Sequence, residues 1–209
     1  MAVLGIRIIG DPILRTPAAP VTSFGPELRK LVRDMEETMI DVQGAGLAAP
    51  QVGVDLQVFT YRIDGRQGYV INPVLELGAE PAADDHDVEG CLSVPGLGSF
   101  LPRSNWARVT GVDTDGNPVE VEGTGMLARC LQHETDHLQG RLYIDRLTGA
   151  DKREAMRAIR SAGYNDVAGQ TAAQRARSLG SVFAGQYGGA STGANRSATA
   201  PASGSGRTQ

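Results

Sequence analysis

Two histidines four residues apart, His133 and His137, stand with Glu134 between them in the run MLARCLQHETDHLQ at 126–139. On a helix, residues at this spacing share a face, so both imidazoles can reach one metal ion while the glutamate next to the first handles a proton. That is the pattern of a metal-dependent hydrolase. At about 100° per residue, Leu127, Cys130, Leu131, Glu134, His137 and Leu138 fall on one arc with His133 at its edge, and Ala128, Arg129, Gln132, Thr135 and Asp136 fall outside it. Thr124 is the expected N-cap and Gly140 the expected stop. Glu134 thus lies among apolar neighbours, where desolvation favours its protonated form, as a proton shuttle requires.

A catalytic site of the open type takes three protein ligands and leaves one position for water, and the helix supplies two. The chain has two cysteines, Cys91 and Cys130. Cys130 is on the same helix, and at 1.5 Å rise per residue its sulfur lies about 10 Å along the axis from His137, too far to converge on one ion. Cys91, in Glu89-Gly90-Cys91-Leu92-Ser93, arrives from another segment and is not so restricted. A third stretch, Gly44-Ala45-Gly46-Leu47-Ala48-Ala49-Pro50-Gln51, is made of small residues. It reads either as a bare edge that an extended peptide can approach closely or as a plain turn before a strand. It is not a phosphate loop, since no lysine followed by Ser or Thr comes after it.

The elements that must position these residues are short. Residues 3–9 read as an extended segment closed by Gly10-Asp11-Pro12. Leu28, Leu31, Val32, Met35, Met39 and Ile40 recur at helical spacing over 26–41. Strands are expected at 56–63 and 69–71 around the Asp64-Gly65 hairpin signal, then at 74–77 after a break at Asn72-Pro73. Others are expected at 106–113, 119–121 and 142–144, with a terminal helix over 151–161. The acidic run 80–87 reads as a solvated loop and its His86 as exposed. The fold class expected is α+β, with small antiparallel sheets around a central metal-binding helix, an N-terminal helix and a C-terminal helix. One domain spans 1–164. From 165 to 209 the chain turns to Gly, Ala, Ser, Thr and Gln with few large apolar residues, the composition of a disordered tail.

Composition narrows the partners. With 41% hydrophobic and 21% charged residues and a formal net charge of -4, the chain carries no basic field for nucleic acid. No run approaches the roughly 20 apolar residues of a membrane span, and the N-terminus lacks the flanks of a signal peptide. The chain reads as cytoplasmic, where two cysteines are thiols rather than a disulfide.

With GAGLAAPQ, EGCLS and QHETDH in that order, and GDPILRTPA near the start, the chain resembles the peptide deformylases over residues 3–162. These hydrolases remove the formyl group from the N-terminal methionine of new bacterial and organellar proteins. The resemblance implies Cys91, His133 and His137 as metal ligands, with iron(II) the usual ion and zinc, nickel or cobalt able to replace it. It implies Glu134 as the proton carrier, and the Gln51 side chain and Leu92 backbone N–H as donors to the reacting oxygen. It further implies Gly44 and Gly46 pairing with the substrate backbone, Met126 and Cys130 lining the methionine pocket, and Arg103 steadying the peptide. Arg129 stands where relatives often carry an apolar residue. The substrates would be formyl-methionyl peptides or nascent chains, with the arginines of the tail as a candidate contact to the ribosome. Two other functions fit parts of the pattern: an HExxH metallopeptidase, and a non-catalytic module holding peptide N-termini on the same fold.

Overall fold

The computed structural model describes residues 2–78 and 88–161, together with 163, 164, 166 and 168–171. The run 80–87 with His86, and the tail from 172 onward, lie outside the described residues.

An extended segment at 2–9 opens the chain and makes no sheet ladder. It is tied down by four backbone amides: Ala2 N to Asp34 Oδ1 at 3.0 Å, Leu4 N to Thr38 Oγ1 at 2.8 Å, Arg7 N to the Gln51 carbonyl at 2.7 Å and Ile9 N to the Ser93 carbonyl at 2.8 Å. The first two partners belong to α1, Pro26–Asp41, which starts at a proline in its first turn. One face of α1 buries Leu28, Val32, Met35 and Met39, as the spacing predicts, but Ile40, expected on that face, is exposed in the last turn.

Five antiparallel strands form the main sheet, in the order β1, β2, β3, β6, β7, and β4 and β5 form a two-stranded sheet of their own. β1 is Gly46–Ala48, β2 Val58–Ile63 and β3 Arg66–Leu77. The β2–β3 hairpin turns at Asp64 and Gly65, both with positive φ, as the sequence signal requires. β3 does not end at Asn72-Pro73. The strand runs through, with a register shift between Ile71 and Val74, because Asn72 adopts φ 52° and its side-chain amide pairs with both backbone groups of Val21 at 2.8 and 2.9 Å. The bulge accommodates a proline that a regular inner strand would exclude.

β4, Val88–Cys91, and β5, Val94–Phe100, form a tight hairpin; β6, Trp106–Val112, and β7, Pro118–Thr124, complete the main sheet. α2, Gly125–Leu138, follows β7 directly. Thr124 is its N-cap residue, but the Thr124 side chain makes no capping bond. At the far end Gly140, φ 71°, closes the helix. The segment expected as a strand at 142–144 is instead the start of a single helical turn, α3, Tyr143–Arg146. Asp145 accepts the Leu142 N–H at 2.8 Å and folds the chain back, which a three-residue apolar run cannot announce. α4, Gly149–Arg160, is the expected terminal helix.

Apolar side chains gather in three clusters. Phe59, Tyr61, Val70 and Val109 of the sheet pack with Leu127 and Leu131 of α2. Met35 and Met39 of α1 pack with Leu47, Val58 and Ile71. Leu14, Val94, Leu101, Tyr143 and Ile144 form the third, against which Cys91 leans and to which Tyr164 and Ala168 also belong. α2 therefore has apolar support along its length, and polar residues fill the rest of its surroundings. No helix among the described residues is long and apolar enough to cross a membrane.

Candidate metal centre

His133 and His137 lie one helical turn apart on α2, with their Nε2 atoms 3.1 Å from each other. β4 delivers the third group. Its register shifts between Gly90 and Cys91, and this irregularity turns the Cys91 side chain toward the helix, with Sγ 3.3 Å from His137 Nε2. The three donor atoms all lie within 4.8 Å of one another, and this is the one such group among the described residues. Donors about 2.1 Å (nitrogen) and 2.3 Å (sulfur) from a tetrahedral ion stand about 3.4–3.6 Å apart. A thiolate with two imidazoles at these separations can close on a divalent cation with little movement. Cys130, by contrast, donates its thiol to the Ala45 carbonyl at 3.5 Å and takes no part in the trio.

Glu134 is buried beside these three donors. Burial pushes its carboxyl up to about 7; the nearby His133 pulls the other way without overcoming it. Its Oε2 is buried and has no hydrogen-bond partner among the described residues. The small residues of β1 make room for it: a Cβ added at Gly46 would fall 2.7 Å from the Glu134 carboxyl carbon. A cleft of about 210 Å³ opens in front of the group, lined among others by Gly46, Gln51, Leu92, Met126, Arg129 and Cys130.

Gln51 sits in a 3-10 turn, Ala49–Val52, just after β1. Its Oε1 accepts the Ala48 N–H at 2.8 Å, which leaves the amide NH2 end toward the cleft, 3.7 Å from Cys91 Sγ and 3.3 Å from Ser93 Oγ. Ser93 N also donates to Cys91 Sγ at 3.4 Å. Of the residues singled out in the sequence, Gly46, Gln51, Cys91, Leu92, Met126, Cys130, His133 and Glu134 line the cleft. Gly44 lies just outside its wall, where its N–H is held by the Met39 carbonyl at 2.8 Å.

Arg103 stands elsewhere. Its guanidinium is buried behind the site, 2.6 and 2.9 Å from the two oxygens of Glu89 and 2.7 Å from Asp136. Glu89 in turn meets His133 Nδ1 at 2.7 Å, which directs the Nε2 atom of that ring to the ligand trio. Burial favours the neutral form of Glu89, but the hydrogen bonds with Arg103 and His133 hold its carboxyl well below the usual range. Sequence reasoning gave Glu89 no role. The available signal is an acidic residue two positions before the candidate ligand cysteine.

Comparison with known proteins gives one consistent result. A family model described as polypeptide deformylase matches residues 3–153. The peptide deformylase of Acidothermus cellulolyticus is 54% identical over 171 residues, covering 82% of this chain and 92% of that one. Among solved structures, the peptide deformylase of Thermus thermophilus superimposes with a TM-score of 0.71 at 37% identity, covering 81% of this chain and 99% of the other. That of Synechococcus elongatus, solved in complex with actinonin, gives 0.69 at 36% identity, covering 75% and 86%.

Proposed function

From the premise that this chain belongs to the peptide deformylase family, and is a metal-dependent hydrolase that removes the N-terminal formyl group, we propose that Cys91, His133 and His137 hold its cation and that Glu134 carries the proton. The observation that carries this assignment is the convergence of the Cys91 sulfur with two imidazole nitrogens beside a buried, unpartnered carboxylate oxygen at the floor of a cleft. A divalent cation bound there polarises the formyl carbonyl and makes water more acidic.

The chain's own residues supply the rest. Glu134, with its carboxyl raised to about 7, accepts a proton from the attacking water and returns it to the amine nitrogen as the carbon–nitrogen bond breaks. Formate and a free methionine N-terminus result. The Gln51 amide and the Leu92 N–H donate to the oxygen that gains charge at the tetrahedral stage, each such donor contributing about 3 kcal/mol. Gly44 and Gly46 leave the peptide edge bare for the substrate backbone, and Met126 and Cys130 contact the methionine side chain. Arg103 acts from behind the site rather than on the peptide, because its guanidinium is bound to Glu89 and Asp136.

Iron(II) is the cation proposed for the cell, with zinc, nickel or cobalt able to take its place, since a thiolate with two imidazoles suits all four. The substrates are nascent chains in the cytoplasm. Arg175, Arg177, Arg196 and Arg207 of the tail give it a basic contact for ribosomal RNA, which deletion of residues 165–209 and salt-dependent ribosome binding would test. The comparisons favour neither a metallopeptidase nor a non-catalytic module.

The decisive experiment measures formate released from formyl-Met-Ala-Ser by iron-loaded protein kept free of oxygen. The native chain should turn over, and Glu134→Gln should retain its metal while losing about 10³-fold in rate. Comparable rates for the two would remove Glu134 from the mechanism.

A further inference from the structure

Arg129 has no part in the chemistry above, yet it is a cation that is 6% exposed and lines the same cleft as the candidate ligands. It lies one helical turn before His133 on α2. Its Nη1 donates to Glu89 Oε2 at 3.0 Å and to the Leu101 carbonyl at 2.9 Å.

The bonding of Glu89 gives this placement its meaning. Arg103 grips the carboxylate with two bonds, Nη2 to Oε1 and Nε to Oε2. Each oxygen then has one more partner: His133 Nδ1 on Oε1 and Arg129 Nη1 on Oε2. Arg129 and His133 therefore balance each other across one carboxylate, both reaching it from the same face of α2. Without Arg129, Oε2 loses a charged donor and only the Arg103 grip still fixes the carboxylate, so its orientation, and that of the His133 ring bonded to Oε1, is less sharply set.

We infer that Arg129 is a positioning residue, which from the wall of the cleft holds Glu89 in the orientation that fixes the His133 ligand. The inference rests on the assignment of His133 as a ligand, and it adds a third tier to that assignment: ligand, carboxylate, guanidinium. Groups that orient a metal ligand at one remove change affinity about 10- to 100-fold when lost, and Arg129 acts through such a group. Its loss belongs at the lower end of that range.

The test uses the full chain loaded with cobalt(II), whose visible absorption reports both ligand geometry and retention of the ion. R129M keeps the length of the side chain and removes the donors. It should lose cobalt to a chelator about tenfold faster than the native chain and alter the cobalt band, with kcat falling more than KM rises. R129K, with one donor point in place of a planar fork, should recover part of the retention. E89Q should lose cobalt faster than R129M, and the double variant no faster than E89Q, because both act through one ring. Native rates of cobalt loss from R129M and R129K, whatever their melting temperatures, overturn the inference and leave Arg129 a packing residue; strictly additive effects in the double variant overturn it too. A native cobalt protein that releases no formate counts against the activity assigned above and leaves this inference standing, whereas a chain that takes up no cobalt sinks both.

Discussion

The two long helices of this molecule carry comparable numbers of charged and polar side chains and treat them in opposite ways. On α1, Arg29, Lys30 and Arg33 face solvent and Val32, Met35 and Met39 face the core, with Asp34 and Thr38 the polar side chains buried there, bonded to Ala2 and Leu4. On α2, every residue from Leu127 to Leu138 except His133 is buried, including Arg129, Gln132, Thr135 and Asp136. Those four are bonded rather than stranded. Gln132 exchanges bonds with the backbone of Ser104 at 2.9 and 3.2 Å, Thr135 donates to the Leu131 carbonyl at 2.8 Å, and Asp136 receives Arg103 and Arg146. A polar stripe on a helix thus has two meanings. On α1 it is a solvated surface, and on α2 it is a frame that keeps one face of the helix aimed at the cleft.

That contrast can be broken by substitution. The largest effect is expected at Arg103→Met, which leaves Glu89 and Asp136 buried with one charged partner fewer. Removing one member of a buried ion pair costs about 3–5 kcal/mol, so urea unfolding should show a loss of that size. A change under about 1 kcal/mol, the value of an exposed pair, would mean that the back of α2 is no frame at all. Next comes Gly46→Ala, whose methyl group collides with Glu134. Displacing a reacting group by about 1 Å typically costs about 10²-fold in rate, and formate release should fall by that factor while the melting curve moves little. The smallest is Arg33→Ala on the exposed side of α1, expected within about 0.5 kcal/mol of the native stability by the same urea measurement.

The same contrast explains what the sequence could reveal. α1 is legible because water lies on one side of it, so period and burial coincide at Leu28, Val32, Met35 and Met39, failing where Ile40 reaches the helix end. His133, His137 and Cys91 were legible as a candidate set because ligand chemistry restricts both residue type and spacing, and their donor atoms lie together with Glu134 lining the same cleft. The roles around them were not legible. Arg103 pairs with residues 14 and 33 positions away, and no local pattern encodes such a partner; the sequence reading aimed it at the substrate instead. The helical wheel likewise put Arg129 and Asp136 outside the buried arc, because it counts polarity and cannot count bonds. Asn72 and Asp145 defeated the strand assignments for a related reason: side-chain hydrogen bonds to the backbone, two between Asn72 and Val21 and one from Leu142 to Asp145, redirected the chain in each case.

The extended segment at 2–9 supplies none of the residues that line the cleft, yet Arg7 fastens the backbone of Gln51 and Ile9 fastens the backbone of Ser93. One run of chain therefore bridges the turn that carries Gln51 and the turn that follows Cys91, like a brace nailed across two posts. A shift of that brace moves both posts together, so Gln51 and Cys91 keep their spacing along the cleft without a direct covalent tie between them.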